Sequence, residues 1–421
     1  MPGLILSAPC SASGKTILSL GLLRALKNRG TPIRSAKSGP DYIDPCFHAA
    51  ASGAECLNLD AWAMAPDTIH HLAAGAETLI IEGAMGLFDG APPNGKGATA
   101  DLARILGLPV ILILDVSHQA QSAAAIALGF KTLDRTIHIG GLILNKVGSP
   151  RHERIVRKAL KPLNIPILGS IMRQKNLQTP SRHLGLVQAA EHPDLETFLN
   201  QVAEIVEKNI DIDALIALAT EQITPTKPAT LLAPPAQRIS VAYDTAFAFC
   251  YPHILQGWHA QGAEVQTFSP LANEPPPPCD LVFLPGGYPE LHAGKLAANE
   301  TFLNGLRDAP AIYGECGGFM TLGEGLIDKN GARHRLAGLL NLETSFAELR
   351  LHLGYRNLIP QGGPWKTHMK AHEFHYATIL KAVGKPLFKT TDADGVKLPD
   401  MGLENGAVSG SFAHIIAQFN R

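Results

Sequence analysis

The sequence predicts an α/β fold made of two doubly wound domains, each with a parallel sheet covered by helices. Short apolar runs typical of buried strands alternate with stretches of helical periodicity along most of the chain. This alternation favours parallel strands joined by crossover helices. A segment rich in proline, threonine and alanine at residues 222–237 interrupts the pattern, and a second α/β series follows it. A chain of 421 residues is long enough for about two or three domains.

The first series of elements occupies residues 1–221 and opens with an apolar strand at residues 4–8. A helix predicted at residues 15–29 follows it, and Gly30 ends that helix, as glycine commonly does. Apolar strands and helices continue to alternate downstream. The strands are predicted at 78–82, 109–115, 139–145 and 166–170, and the helices at 98–107, at 119–133 and near 194–208.

The second series occupies residues 238–421, after a predicted linker at 222–237 where no apolar periodicity survives. Four consecutive prolines, Pro275 to Pro278, predict a stiff surface loop between two of its strands. Its first elements are predicted as a strand at 239–243, a helix at 252–261, and strands at 264–268 and 280–284.

Composition argues against several classes of protein. Apolar residues make up 46% and charged residues 17% of the chain, with a formal net charge of −1, whereas nucleic-acid binders normally carry a basic excess. No run of about 18 apolar residues appears, so no membrane span is expected. The segment MPGLILSAPCS lacks the features of a signal peptide. The six cysteines show no C-x-x-C spacing, and a reducing cytoplasm is the expected setting.

A phosphate-binding loop is predicted at SAPCSASGKT, which follows the first strand and opens a helix. Backbone N–H groups of such a loop surround phosphate at the helix N-terminus. Lys15 would reach the β- and γ-phosphates of ATP, and Thr16 would ligate Mg²⁺. Pro9 replaces the glycine of the strict pattern, which indicates a variant subgroup; an ordinary turn with a surface lysine is the alternative. The predicted nucleotide contacts are Ser13, Gly14, Lys15 and Thr16, with Asn145 at the adenine.

Two glycine-rich loops with carboxylates should lie beside the phosphate loop, because they follow strands of the same parallel sheet. The loop KSGPDYIDP carries Asp41 and Asp44, and the loop EGAMGLFDG carries Glu82 and Asp89. Glu82 ends the strand TLIIE, where a carboxylate can hold nucleotide-bound Mg²⁺. Solvated loop acids are the alternative for any one of these residues. The predicted Mg²⁺ ligands are Thr16, Asp41 and Glu82.

A nucleophile elbow is predicted at YGECGGF, where Cys316 stands between a strand-like run and a helical run. Backbone N–H groups of Gly287, in the loop LPGGY, and of Gly317 would form an oxyanion hole. A cysteine nucleophile needs a base, and His414 in GSFAHI is the predicted one. A purely structural role is the alternative for a lone histidine.

The segment His372-Glu373-Phe374-His375 resembles a zinc-protease motif but is one residue short of H-E-x-x-H. Two histidines three residues apart, with no third ligand evident in the sequence, make a poor metal site. The sequence therefore disfavours a metalloprotease.

Seven motifs together resemble the cobyrinate/hydrogenobyrinate a,c-diamide synthases of cobalamin biosynthesis. They occur in the family's order between residue 7 and about residue 416, and two of them, GPDYIDP and EGAMGLFDG, are not generic nucleotide motifs. The motifs are SAPCSASGKT, GPDYIDP, EGAMGLFDG, LPGGYPE, YGECGGF, AHEFHY and GSFAHI.

This resemblance implies a dethiobiotin-synthetase-like ATP domain followed by a class I glutamine amidotransferase-like domain. It implies that Cys316 and His414 release ammonia from glutamine through a thioester. It also implies that ATP with Mg²⁺ phosphorylates the c- and then the a-acetate carboxylate of a corrinoid, and that ammonia displaces the phosphate. The residues implied to handle Mg²⁺, ATP and the acyl phosphate are Asp41, Asp44, Glu82 and Asp89.

The chain departs from standalone class I glutaminases at residue 416, where Ile416 replaces the acid of their H-x-E motif. A Cys–His dyad with an unknown orienting partner is therefore expected.

The acceptor is the open question within the family. The segments Ala36–Pro40 and Arg182–Gln188 favour the aerobic, cobalt-free hydrogenobyrinate branch over cobyrinate, with nickel-sirohydrochlorin amidation a distant third. A homodimer is compatible with the resemblance. Alternatives of other classes are a P-loop switch ATPase and a non-enzymatic binding module.

Overall fold

The computed structural model describes residues 2–174, 181–182, 185–186, 188–221 and 227–419. The chain divides into two compact units, Met1–Ala229 and Thr230–Arg421, and the division falls within the proline-rich segment 222–237. Each unit contains a parallel sheet with helices, which confirms the predicted α/β class. Among the described residues, no helix is both long and apolar enough to cross a bilayer.

The first unit is built on a parallel sheet whose strands are joined by helices. Its strands are β1 Pro2–Ser7, β2 Ile33–Ser38, β3 Cys56–Leu59, β4 Thr78–Glu82, β5 Val110–Asp115, β6 Ile139–Val147, β7 Ile167–Met172, β8 Ser181–Arg182, β9 Gly185–Leu186 and β10 Thr220–Glu221. Its helices are α1 Lys15–Asn28, α2 Asp44–Ser52, α3 Pro66–Ala73, α4 Thr99–Leu106, α5 Ser122–Thr132, α6 Pro150–Leu160, α7 Leu195–Asn209 and α8 Ile212–Ala217, with 3₁₀ turns at Lys161–Leu163 and Ala189–Glu191. The sheet order is β3-β2-β4-β1-β5-β6-β7, and β10 pairs antiparallel with β1.

Register in this sheet brings the predicted loops together. Glu82 at the end of β4 pairs with Lys37 on β2 and with Leu6 on β1. Because parallel strands present their carboxyl ends at one edge, the loops that follow β1, β2 and β4 meet there. The sequence patterns predicted α1, α4, α5 and α7 with ends that differ by a few residues. They did not predict β2, because four of the six residues in its sequence IRSAKS are polar, although most of it is buried.

The second unit combines a mainly parallel sheet with one mixed and one antiparallel sheet. Its strands are β11 Arg238–Ala242, β12 Glu264–Phe268, β13 Leu281–Leu284, β14 Ile312–Glu315, β15 Gly325–Ile327, β16 Arg333–Arg335, β17 Leu342–Ser345, β18 His352–Pro360, β19 Met369–His375, β20 Thr378–Ala382, β21 Phe388–Thr391, β22 Leu403–Asn405, β23 Val408–Ser411 and β24 Ala413–Gln418. Its helices are α9 Pro252–Ala260, α10 Ala293–Ala298, α11 Glu300–Arg307 and α12 Gly317–Leu322, with 3₁₀ turns at Pro270–Ala272 and Pro289–Leu291.

The parallel sheet of the second unit has the order β12-β11-β13-β14-β23-β22, in which only the β22–β23 pairing is antiparallel. The mixed sheet has the order β16-β15-β17-β20, in which β15 and β17 are parallel, and the antiparallel sheet has the order β21-β18-β19-β24. The sequence analysis did not predict these two sheets, because strands such as β18 alternate weakly between apolar and polar residues. They position the site nevertheless, since β24 carries the predicted base and pairs with β19.

Two candidate active sites

The phosphate loop joins the end of β1 to the start of α1 and adopts a backbone that glycine permits. Gly14 has a φ of 89°, and a Cβ atom built there would lie 2.3 Å from Nδ2 of Asn145. The Asn145 amide instead donates to the carbonyl of Ser13 at 2.8 Å. The structure therefore brings Asn145 to the phosphate loop itself, while its predicted contact with adenine stays a prediction.

Lys15 lies over the phosphate loop and links it to the second acidic loop. Its ammonium donates to the carbonyl of Cys10 at 3.2 Å and to that of Met85 at 2.5 Å. Burial, followed by the positive charge of Lys37, lowers the pKa of Lys15. Two ammonium groups held this close favour a ligand of high negative charge, such as a nucleotide polyphosphate.

Glu82 is the centre of a buried charge network at the end of β4. Its carboxylate accepts from the Thr16 hydroxyl at 2.8 Å and from the Lys37 ammonium at 2.9 Å. Its second oxygen lies 2.6 Å from Nε2 of His48. Burial alone would raise the pKa of Glu82, but the charges of Lys37 and His48 hold it well below its ordinary value. Glu82 is therefore ionised despite being almost completely buried.

Lys37 and His48 belong to this charge network, and the sequence analysis did not single them out. Burial alone would lower their pKa values, but Glu82 raises the pKa of His48 to about 10 and, with Asp44, raises that of Lys37. Only their positions could have indicated them: Lys37 is near the end of β2, and His48 is one turn along α2 from Asp44.

The first acidic loop contributes two carboxylates with different surroundings. Asp41 accepts from the backbone N–H groups of Ile43 and Asp44, at 2.8 and 3.0 Å, and so shapes the start of α2. Asp44 lies 3.0 Å from the Lys37 ammonium. Burial, and then the charge of Asp41, raise the pKa of Asp44 to about 6.

The second acidic loop is tied to the phosphate loop by its backbone. The N–H of Leu87 donates to the carbonyl of Ala8 at 2.9 Å. Asp89 accepts from the N–H of Gly86 at 3.1 Å and so closes a local turn. The structure thus brings Lys15, Thr16, Asp44 and Glu82 into one cluster, whereas the side-chain carboxylates of Asp41 and Asp89 accept hydrogen bonds from their own loops.

These residues fit a nucleotide-bound Mg²⁺. The Thr16 hydroxyl and the Glu82 carboxylate lie side by side, and oxygen atoms are the ligands that Mg²⁺ prefers. Lys15 and Lys37 supply positive charge for phosphates next to these oxygens.

Cys316 occupies a strained turn between β14 and α12. Its φ is 46° and its ψ is −103°, a conformation that residues with side chains rarely adopt. Its N–H donates to the carbonyl of Ser411 at 2.8 Å. A Cβ atom at Gly318 would lie 2.0 Å from the carbonyl oxygen of Leu284, so the turn requires glycine there. This geometry is that of a nucleophile elbow.

The predicted oxyanion loop lies against both halves of this site. A Cβ atom at Gly317 would lie 3.1 Å from the backbone nitrogen of Gly287, which shows how closely the two glycines approach. A Cβ atom at Gly286 would lie 2.1 Å from Cε1 of His414. The loop LPGGY therefore lies next to the turn of Cys316 and next to the imidazole of His414.

His414 and Cys316 are both fully or almost fully buried. Burial, and then the charges of His372 and His375, lower the pKa of His414 to about 3. A neutral imidazole is the form that can accept a proton. Burial also raises the pKa of the Cys316 thiol. One carboxylate oxygen of Glu315 lies 3.9 Å from Nδ1 of His414. Ile416, two residues after the histidine, has no acidic group to offer.

Two residues of the AHEFHY segment form a cluster with His352, which the sequence did not indicate as a third metal-ligand type. Ligand atoms of His352, Glu373 and His375 lie within 4.8 Å of one another. Arg356, however, donates to Glu373 at 2.8 Å, and His375 bonds to the other oxygen of Glu373 at 2.9 Å. The second ring nitrogen of His375 lies 3.1 Å from the carbonyl of Ala377. These contacts form an internal ion-pair network that would compete with a metal ion.

Comparisons with known proteins match both parts of the chain. The model of a CobB/CobQ-like glutamine amidotransferase domain matches residues 238–421, and that of an AAA domain matches residues 41–181. Hydrogenobyrinate a,c-diamide synthase of Brucella abortus biovar 1 (strain 9-941) is 52% identical over 430 residues, covering 99% of this chain and 98% of its own. The synthases of that name from Sinorhizobium sp and Rhodobacter capsulatus are 50% and 49% identical, each over 99% of this chain and 99% and 98% of their own lengths.

The chain belongs to the hydrogenobyrinate a,c-diamide synthase family. This confirms the resemblance carried by the seven motifs. A member of this family is a glutamine-dependent amide-forming ligase, with an N-terminal ATP-binding P-loop domain and a C-terminal glutamine amidotransferase domain. This membership argues against the two alternative functions, a P-loop switch ATPase and a non-enzymatic binding module.

The segment Arg182–Gln188, which favoured the hydrogenobyrinate branch, lies partly outside the described part of the chain, since residues 183, 184 and 187 are not described. The other segment, Ala36–Pro40, is described, and it contains Lys37 in contact with Glu82.

Proposed function

We propose that the chain amidates the a- and c-acetate carboxylates of hydrogenobyrinic acid, with ATP as co-substrate and glutamine as the source of ammonia. One observation carries the proposal: a single chain holds both a cluster centred on Glu82 next to the phosphate loop and a strained, buried Cys316 whose turn is contacted by the same glycine loop that contacts the neutral His414. The name shared by its near-full-length relatives supports hydrogenobyrinate over cobyrinate.

Glutamine hydrolysis begins when His414 takes the thiol proton of Cys316. Burial raises the pKa of this thiol, so the resting thiol is protonated. The thiolate therefore forms only when the proton moves to His414. The sulfur then attacks the amide carbon of glutamine, and N–H groups of Gly287 and Gly317 stabilise the oxyanion. His414 returns the proton to the departing ammonia, and water releases glutamate from the thioester.

Carboxylate activation takes place at the phosphate loop. Lys15 holds the β- and γ-phosphates, and Thr16, Asp41 and Glu82 are the proposed Mg²⁺ ligands, through which the metal would neutralise phosphate charge. The corrinoid carboxylate attacks the γ-phosphorus, giving an acyl phosphate and ADP. Ammonia then attacks the acyl carbon, and phosphate leaves.

Asp44 and Asp89 complete the proposed site from the two acidic loops. Ammonia loses a proton when it forms an amide, and a carboxylate with a raised pKa is well suited to accept it. The pKa of Asp44, about 6, gives it that property near neutral pH. Asp89 holds the turn of the loop that follows Glu82.

The experiment that tests the proposal is a competition assay. The protein is incubated with glutamine, ATP, Mg²⁺ and equal amounts of hydrogenobyrinic and cobyrinic acid, and the products are followed by mass spectrometry. We expect hydrogenobyrinic acid to gain two amides, faster than cobyrinic acid does, and the Lys15→Ala variant to form none. Faster amidation of cobyrinic acid would contradict the choice of acceptor, and no amidation of either would contradict the proposal as a whole.

A further inference from the structure

A buried carboxylate that no sequence motif predicted lies beside His414. Glu315 ends β14, directly before Cys316, and only 3% of its surface is exposed. One of its oxygens lies 3.9 Å from Nδ1 of His414. The other accepts from the N–H of Ile415 at 3.1 Å. The carboxylate is thus held by the backbone of the residue that follows the histidine.

We propose that Glu315 is the positioning residue for His414 in glutamine hydrolysis. In this chain the acid expected two residues after the histidine is replaced by Ile416, and Glu315 supplies the carboxylate from the residue before the nucleophile instead. Its role is to orient the imidazole and to stabilise the imidazolium that forms when His414 takes the thiol proton. The inference rests on the proposed glutaminase role of Cys316 and His414.

Glu373 is the competing carboxylate near this site, and its contacts argue against the same role. Its two oxygens are engaged by Arg356 and by His375, at 2.8 and 2.9 Å. Its charge is therefore balanced by its own partners. Glu315 also forms a side-chain hydrogen bond with Tyr313, but it has no cationic partner of its own comparable to Arg356, and the oxygen that is not bonded to Ile415 lies 3.9 Å from Nδ1 of His414.

The distance of 3.9 Å is longer than a hydrogen bond, which suits a contact that strengthens during the reaction. Burial raises the pKa of Glu315 to about 8 and lowers that of His414 to about 3. The two groups therefore carry little charge in the resting site. As pH rises through the pKa of Glu315 its proton passes to the solvent, and the carboxylate then attracts the imidazolium that forms when the thiol proton reaches His414.

Several other titratable groups face this pair and will contribute to any pH profile. Tyr313 and Cys250 face Glu315 from β14 and from the segment before α9. His414 is faced by groups on β19, namely His372, Glu373 and His375, and it forms a hydrogen bond with the backbone of Phe249.

The test compares glutamine hydrolysis by wild-type protein, Glu315→Gln and the control Glu324→Gln, which removes an exposed ion pair with Lys381 in the same unit. Glutamine keeps the acceptor for Ile415 but removes the charge. We expect Glu315→Gln to lower kcat about 100-fold, with KM for glutamine nearly unchanged. We also expect the rising limb of its kcat/KM profile with pH to shift, and the control to behave as wild type.

A purely structural role for Glu315 would give a lower melting temperature without a selective loss of kcat. A Glu315→Gln variant that hydrolyses glutamine at the wild-type rate, with the wild-type pH profile, would overturn the inference. If Glu315→Gln fails to fold, Glu315→Asp is measured instead. Its side chain is one methylene shorter, so the carboxyl group is kept but lies farther from His414. A lower kcat supports the inference, and an unchanged kcat overturns it.

Cys316→Ala separates this inference from the proposed function. If Cys316→Ala still hydrolyses glutamine, the proposed function fails. If Cys316→Ala is inactive but Glu315→Gln is normal, only the role of Glu315 fails.

Discussion

Glu82 illustrates how one residue organises a site through charge. It is buried, ionised and bonded at once to Thr16, Lys37 and His48. A lone carboxylate in this position would protonate, because burial disfavours its charge. Two positive partners keep it ionised, and an ionised oxygen beside the Thr16 hydroxyl is what a nucleotide-bound Mg²⁺ requires. The same contacts therefore serve stability and chemistry.

Replacing Glu82 with glutamine should lower the stability of the folded protein. The variant leaves the positive charges of Lys37 and His48 without their main counter-charge, so we expect its free energy of unfolding to fall by about 3–5 kcal/mol. The matched control is Glu77→Gln, which removes a more exposed contact with Arg34 at 3.4 Å and should cost at most about 1 kcal/mol. Urea titration measures both values, and equal losses in the two variants would refute the account of Glu82.

Residue-scale prediction from the sequence worked where a short motif fixes the backbone. The phosphate loop and the elbow could be predicted because glycine, lysine and cysteine occur at fixed spacing beside apolar strands. Lys37, His48 and Glu315 could not, because their roles depend on partners 45, 34 and 99 residues away. Pairing between β2 and β4 brings Lys37 to Glu82. Pairing between β14 and β23 brings Glu315 close to β24, which follows β23 along the chain and carries His414. No local sequence pattern encodes these strand pairings.

At the scale of elements, the strand–turn–helix unit around Cys316 depends on close backbone approach. β14 lies between β13 and β23, and α12 starts directly after the nucleophile. Gly318 faces the carbonyl of Leu284 at the end of β13, so the helix can begin only where a side chain is missing. The sequence predicted this element, but not the antiparallel strands that bring His414 to it.

Gly318→Ala should therefore disable the elbow. The added methyl group would lie 2.0 Å from the carbonyl oxygen of Leu284, so β13 and α12 must move apart. We expect glutamine hydrolysis to fall at least about 100-fold, since misplaced catalytic groups lose rate steeply. Gly294→Ala is the control, because its nearest neighbour atom would be 3.6 Å away. Wild-type hydrolysis by Gly318→Ala would contradict the elbow geometry.

A second element-scale contact predicts how stability depends on pH. His253 on α9 is buried, and its ring lies 2.8 Å from the carbonyl of Ile416 on β24. Burial lowers the pKa of His253 to about 4. Below its ordinary pKa of about 6.5 the unfolded chain binds a proton that the folded chain refuses, so this residue costs stability as pH falls from about 6.5 to about 4.

The variant His253→Gln keeps a donor for Ile416 but cannot take up that proton. We expect it to melt below wild type near pH 7.5, because its packing is poorer, and this deficit to shrink near pH 5. Melting curves at the two pH values measure the difference. A deficit that stays constant or grows at low pH would show that His253 is not held neutral in the folded protein.

At the scale of the whole molecule, the chain contains two units with separate chemistry. The first holds the polyphosphate cluster and the second holds the cysteine site. The proline-rich segment 222–237 and the two groups of motifs predict a division of the chain in this region. The acceptor could not be derived from charge or periodicity, and the choice of hydrogenobyrinate rests on the relatives and their shared name.

If ATP and glutamine are used at separate sites, the variant Lys15→Ala should lose amide synthesis alone. Lys15→Ala removes the phosphate contact, so it should stop amide synthesis with glutamine and with ammonium alike, while glutamine hydrolysis continues. Retained synthesis by Lys15→Ala would refute the phosphate-loop assignment.

The most direct test of the two-site account is amide synthesis by Cys316→Ala, measured by mass spectrometry with hydrogenobyrinic acid, ATP and Mg²⁺. The account predicts no synthesis when glutamine is the nitrogen source, and synthesis near the wild-type ammonium rate when ammonium chloride is added. Undiminished synthesis with glutamine, or loss of ammonium-driven synthesis in a folded variant, would contradict it.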